Sequence, residues 1–181
     1  IVAQTLNNAE READCIRRLL ARQVDGLFIR PVYRPDPSAG IYEELKKRKT
    51  PTVILGHRAL FCSDFPNVET DDLAAAKAVT EHLLDLGHRR IACLTGPIFA
   101  PWAQERYEGY RRALMEHGLE VDEKLVFQAG ATIEEGAAAA LQFINEQPKA
   151  TAMIAANDLV AFGAANTLLD QGISIPQDLS V

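Results

Sequence analysis

The residues whose type and placement could do chemistry here are binders rather than reactants. Arg106 falls near the start of a helix expected over about Ala103 to His117. A cation in a first turn opposes the helix dipole, so it calls for an outside partner. One partner is a ligand carboxylate or set of hydroxyls facing a bidentate guanidinium. The other is plain surface pairing with Glu105 or Glu108. Trp102 is the single tryptophan, in a loop of Pro, Phe and Ala that also holds Phe99. An aromatic there either stacks on a sugar ring or base, or plugs a core edge. Asn157-Asp158 caps a helix, and the Asn157 amide is also placed to face a ligand. His57-Arg58 is either an anion site or a solvated loop pair.

Catalytic arrangements are absent. There is no Gly-x-Ser-x-Gly, phosphate-binding Gly-rich loop, Gly-x-Gly-x-x-Gly or His-Glu-x-x-His. The four histidines, His57, His82, His88 and His117, are scattered. Neither a metal, nor a cofactor, nor a Ser/His/Asp site is predicted. The cysteines, Cys15, Cys62 and Cys93, show no Cys-x-x-Cys spacing, which favours reduced thiols in a cytosol. An α/β enzyme stays as an alternative that turnover of a bound ligand would revive.

The elements that must position these residues alternate. Strands are expected at Ile1 to Gln4, Val24 to Ile29, Thr52 to Leu55, Ile91 to Leu94, Leu125 to Phe127 and Ala152 to Ala156. Helices are expected at Ala9 to Arg22, from Asp36-Pro37 through Leu45, from Asp71 or Asp72 to Leu86, at Ala103 to His117, from Thr132, and from Asp158 to Gly172. Leu73, Ala76, Val79, Leu83 and Leu86 recur every three or four residues, which predicts the buried face of the third helix. Thr132 with Glu135 forms a capping box for a helix burying Ala137, Ala140, Leu141 and Ile144. Ile91-Ala92-Cys93-Leu94 is apolar throughout, as suits a strand covered on both faces. Alternating strands and helices specify parallel sheets flanked by helices, because parallel strands need crossovers. Ligands of such sheets bind beyond the carboxyl ends of the strands. That rule gathers Arg30, Tyr33, His57, Trp102, Arg106 and Asn157 on the ligand side, and puts His88, Arg89 and Arg90 on the other.

The chain has 181 residues, is 48% hydrophobic and carries a net charge of −6. It is long enough to bury a sizeable core. The acidic balance argues against nonspecific nucleic-acid binding by this segment. No apolar run reaches membrane-spanning length and no signal peptide opens the chain. Both ends look cut, since each falls within an expected strand.

Seven segments, in order, carry a family resemblance. They are Val24-Asp25-Gly26-Leu27-Phe28-Ile29, Pro51 to Leu55, Val68-Glu69-Thr70-Asp71-Asp72, Glu81 to Ala92 with its Gly87-His88-Arg89-Arg90-Ile91, Arg106-Tyr107-Glu108-Gly109-Tyr110, Ala155 to Gly163 with Asn157-Asp158, and Gly172 to Val181. Together they resemble the lactose/galactose-repressor (LacI/GalR) family over the full length. The resemblance implies a two-lobed, periplasmic-binding-protein-like α/β fold: an N-terminal lobe over 1–69 and a C-terminal lobe over 70–181. It also implies that the first strand and helix of the one and the final strands of the other lie outside the segment. A small effector, a sugar or nucleoside-like metabolite, is expected between the lobes, in a cytoplasmic homodimeric regulator that meets DNA through a separate helix-turn-helix. The resemblance assigns the effector to Arg106, Trp102 and Asn157. Ala131 stands where members often carry an aromatic, so Trp102 or Phe99 is expected to replace that stacking partner. Asp72 stands where Asn is frequent and is expected to act as a cap. A periplasmic sugar receptor of a transporter is the alternative.

Overall fold

The computed structural model describes every residue, Ile1–Val181. The chain divides into two compact units: one holds residues 1–70 and 99–101, the other 71–98 and 102–181.

The first unit contains α1 (Ala9–Ala21), β1 (Leu27–Ile29), α2 (Gly40–Arg48), β2 (Thr52–Leu55) and β3 (Asn67–Val68). Its parallel sheet has the order β1-β2-β3. Tyr42, Leu45 and Ile54 are sealed in its core, with the Phe61 and Phe65 rings 5.0 and 6.1 Å from the Tyr42 ring. Asn8 caps α1 by accepting from the Arg11 N–H. Two expectations fail here. Ile1 to Gln4 is not a strand, because no neighbouring strand supplies the hydrogen bonds that a ladder needs; Ile1 and Val2 lie exposed. Asp36 does not cap α2. Its carboxylate accepts from the Ser38 N–H and hydroxyl, which closes a turn, and the helix starts four residues later at Gly40.

The second unit contains α3 (Asp72–Asp85), β4 (Ile91–Thr95), α4 (Pro101–Glu116), β5 (Val126–Gln128), α5 (Ile133–Glu146), β6 (Ala152–Ala155) and α6 (Asp158–Asp170). Its sheet is parallel in the order β5-β4-β6, and Ser180 adds a single parallel bridge beside Ala152. β4 is the central strand and is buried from Ile91 to Leu94, as an apolar run covered on both faces should be. Gly87, Gly118 and Gly172 follow α3, α4 and α6 at positive φ, where a side chain would strain the turn.

Helix faces are rotated from the expected ones in two places. On α3 the buried positions are Asp72, Thr80 and Leu84, while Val79 and Leu86 are exposed. On α5 they are Gly136, Ala139, Ala140 and Phe143, and Leu141 is exposed. The second case has a local cause. α5 and α6 approach through glycine: a Cβ on Gly163 would lie 2.0 Å from the Ile133 carbonyl oxygen, and one on Gly136 2.3 Å from that of Val160. The small residues therefore turn inward, and the leucine is left on the outside.

Candidate functional site

The site is built where β4 gives way to α4. Gly96 follows β4, and a Cβ there would meet the Trp102 ring at 2.8 Å and the Ala103 methyl at 2.7 Å. The missing side chain thus makes room for the indole. α4 begins with Pro101, whose preset φ and absent N–H suit a first helical position. Arg106 consequently stands in the second turn, not the first, and the conflict with the helix dipole that the sequence suggested is largely relieved.

Arg106 has definite partners. Its Nε and Nη2 donate to one oxygen of Asp72, at 2.9 and 2.7 Å. Its Nη1 donates to the Ala156 carbonyl. The Trp102 ring centroid lies 5.1 Å from the guanidinium carbon, within cation–π range. Three of the five guanidinium N–H groups are thereby engaged and two remain. The side chain is 37% exposed, whereas that of Asp72 is 6% exposed. Glu108, one of the two carboxylates suggested by the sequence, instead takes Arg111 and Arg112.

Asp72 is the member of this cluster that sequence reasoning missed. It is not the helix cap, because Asp71 takes that role by accepting from the Ala74 N–H at 2.8 Å. A signal was present: of two adjacent carboxylates at a helix start, only one can cap. The partner, 34 positions away, could not be read from the chain.

Asn157 extends the same cluster. Its side-chain oxygen caps α6 through the Val160 N–H at 2.9 Å, and its amide nitrogen donates to the Ala131 carbonyl at 3.4 Å. The Ala131 N–H and Thr132 N–H both donate to Glu135, completing the expected capping box. Those N–H groups hold the Glu135 carboxyl below its ordinary value. Arg106, Trp102, Asn157 and Ala131 are therefore linked through Ala156 and Asn157 at the carboxyl ends of β4, β5 and β6. Phe99 groups with the first unit and is partly exposed.

The other candidates are occupied. His57 is buried, with Nδ1 3.2 Å from Glu69, and its carbonyl accepts from the Tyr33 hydroxyl. Arg58 donates to the Ser63 carbonyl. An open groove along α1 is walled by Arg11, Asp14, Arg17 and Arg18, which pair with one another or with backbone. Burial pushes the Cys93 thiol up to about 12, so it is an inert core group. No three His, Cys, Asp or Glu side chains converge as metal ligands.

Comparison with known proteins gives the family. The family of periplasmic binding proteins and sugar-binding domains of LacI regulators matches residues 1–181. The regulator CelR of Thermobifida fusca is 33% identical over 165 residues, covering 90% of this chain and 47% of its own length. The transcription regulator CcpA of Lactococcus lactis superimposes with a TM-score of 0.86 at 31% identity, over 99% of this chain and 64% of that one. A CelR–cellobiose complex gives a TM-score of 0.81 at 30% identity, over 94% of this chain and 52% of that one. The chain spans about half the length of the curated relatives it matches, and those relatives are regulators rather than enzymes. With its parallel sheets, its guanidinium at the strand ends and a family match from the first residue to the last, the chain belongs to the periplasmic-binding-protein and LacI sugar-binding-domain family.

Proposed function

We propose that this chain is the effector-sensing core of a bacterial LacI-type transcriptional regulator. Its two compact units are the two lobes, and a sugar or nucleoside-like metabolite is the effector. The observation that carries this is the Arg106 guanidinium. It is fixed by Asp72 and Ala156, flanked by the Trp102 ring, and left with two unengaged N–H groups at the strand ends where such folds take ligands. A fixed fork of donors suits vicinal hydroxyls, and an indole face suits the apolar face of a sugar or a base. Asn157 and the Ala131 backbone line the same edge.

Signalling follows from differential binding. An effector that meets one lobe arrangement better than another shifts the population toward it by no more than that difference in affinity. DNA contact belongs to a helix-turn-helix of the kind that names the relatives, and a cytoplasmic homodimer is the assembly in which the shift is read.

The test uses Trp102, the only tryptophan, as a reporter. A panel of sugars and nucleosides, cellobiose included, is titrated against the full chain. At least one member is expected to change Trp102 emission saturably. Arg106→Ala should weaken that ligand about 30-fold, the equivalent of roughly 2 kcal/mol for hydrogen bonds to a charged donor. An Arg106→Ala variant that binds it as tightly as the parent defeats the assignment.

A further inference from the structure

The electrostatics around Arg106 carry a conclusion about ligand charge. Asp72 is almost fully buried, yet its carboxylate faces the only guanidinium of the site. Burying a carboxylate is costly unless a cation compensates it, so the two charges belong to one unit. Within the second unit the strand ends add no second cation. The loops after β4, β5 and β6, with the first six residues of α4, α5 and α6, contain one basic residue, Arg106. They contain four acidic ones: Glu105, Glu134, Glu135 and Asp158. The edge is therefore neutral at the guanidinium and negative around it.

We infer that Asp72 is the specificity-determining residue of this site. Its carboxylate aims the Arg106 fork and cancels its charge, so the site accepts an uncharged, hydroxyl-rich ligand and rejects the phosphorylated or otherwise anionic form. This rests on the assignment of Arg106 to the ligand. Asp72 also acts as a positioning residue. With Nε and Nη2 locked on one oxygen and Nη1 on the Ala156 carbonyl, the two remaining N–H groups keep a single direction. Selectivity of this kind uses repulsion of the wrong ligand as well as attraction of the right one. An asparagine at the same position would still accept from Arg106 and would release its full positive charge toward the ligand.

The experiment compares the full chain with Asp72→Asn, Asp72→Ser, Arg106→Ala and the double variant Asp72→Asn/Arg106→Ala. The probe is inorganic phosphate, titrated at constant ionic strength and followed by Trp102 emission. Asp72→Asn is expected to bind phosphate at least about tenfold more tightly than the parent, because a like charge beside an anion has been removed. Asp72→Ser, which lacks the charge and is smaller, should move the same way. The gain must vanish in the double variant. Thermal melts identify any variant that does not fold, and either single variant suffices for the comparison. Equal phosphate affinity in the parent and the folded Asp72 variants overturns the inference, as does a gain that survives loss of Arg106. Because phosphate needs only an accessible guanidinium, this outcome is separate from the sugar panel. A panel that fails while the phosphate gain appears refutes the effector assignment and leaves the role of Asp72 standing.

Discussion

The two units each hold one arginine against one buried carboxylate, and the two pairs are finished differently. In the first unit Glu12 on α1 is 1% exposed, and both its oxygens are taken. One accepts from the Val32 N–H at 2.7 Å and the Tyr42 hydroxyl at 2.9 Å, the other from Arg34. Arg34 is itself covered, with the Phe61 ring centroid 4.9 Å from its guanidinium carbon and its Nε on the Val32 carbonyl. The Glu12 carboxylate is fully taken up, and the network ties the segment after β1 down onto α1. In the second unit the Arg106–Asp72 pair has the same chemistry, but its guanidinium side chain is 37% exposed, against 15% for Arg34. A covered ion pair can only hold structure; one whose guanidinium reaches solvent can also meet a ligand. The difference between scaffold and site thus lies in access to the guanidinium and not in residue type.

The sharpest way to break this contrast is Glu12→Ala. Removing one partner of a buried pair strands the other charge, at a cost of roughly 3–5 kcal/mol. Urea unfolding should show a loss of that size for Glu12→Ala, and a clearly smaller one for Asp72→Ala, which leaves behind an Arg106 side chain that reaches solvent. If the two variants lose equal stability, the distinction between a covered and an accessible pair does not hold.

Next in size is Gly109→Ala. Gly109 lies on α4, three residues beyond Arg106, where α4 meets α3. A Cβ there would sit 2.4 Å from the Leu73 carbonyl oxygen and 2.8 Å from the Lys77 nitrogen. The contact is backbone against backbone, so one helix must move. Overpacking of this kind costs about 2 kcal/mol. Asp72 opens α3 and Arg106 rides on α4, so the same shift pulls the pair apart. Gly109→Ala is therefore expected to weaken ligand binding as well as stability, although it touches no ligand. Unchanged affinity would mean that the pair does not depend on how α3 and α4 meet.

Much of this was legible in the sequence, and the parts that were not share a cause. Local rules worked. The capping box at Thr132 and Glu135, the Asn157 cap and the helix-ending Gly87, Gly118 and Gly172 all involve groups within a few residues of each other. The alternating pattern specified parallel sheets, and both are parallel. Long-range pairing was illegible. Nothing in the spacing of Glu12 announces a buried carboxylate 30 residues from Tyr42. On α3 apolarity favoured Val79 over Thr80, yet Thr80 is the buried one because its hydroxyl is satisfied by the Ala76 carbonyl within the helix. Hydrophobic spacing finds a face only when no polar group brings its own partner.

A third carboxylate, Glu135, sharpens the comparison at its weak end. Like Glu12 it accepts backbone N–H groups, from Ala131 at 2.8 Å and Thr132 at 3.0 Å, but it lies at the surface and has no cation. The Ala131 N–H is the chief cause that holds its carboxyl below the ordinary 4.5. A carboxyl depressed on folding stabilises the native state at pH values above its unfolded pKa. That contribution is lost as pH falls through the lower, folded value. Glu135→Gln should therefore be less stable than the parent at neutral pH, by less than either preceding variant. The gap should close on acidification from about 4.5 downward, because the protonated acid and the amide then present similar groups to the two N–H donors. Stability curves of the two proteins that stay parallel between pH 7 and pH 3 would show that the charge on Glu135 is not what holds the Ala131 turn in place.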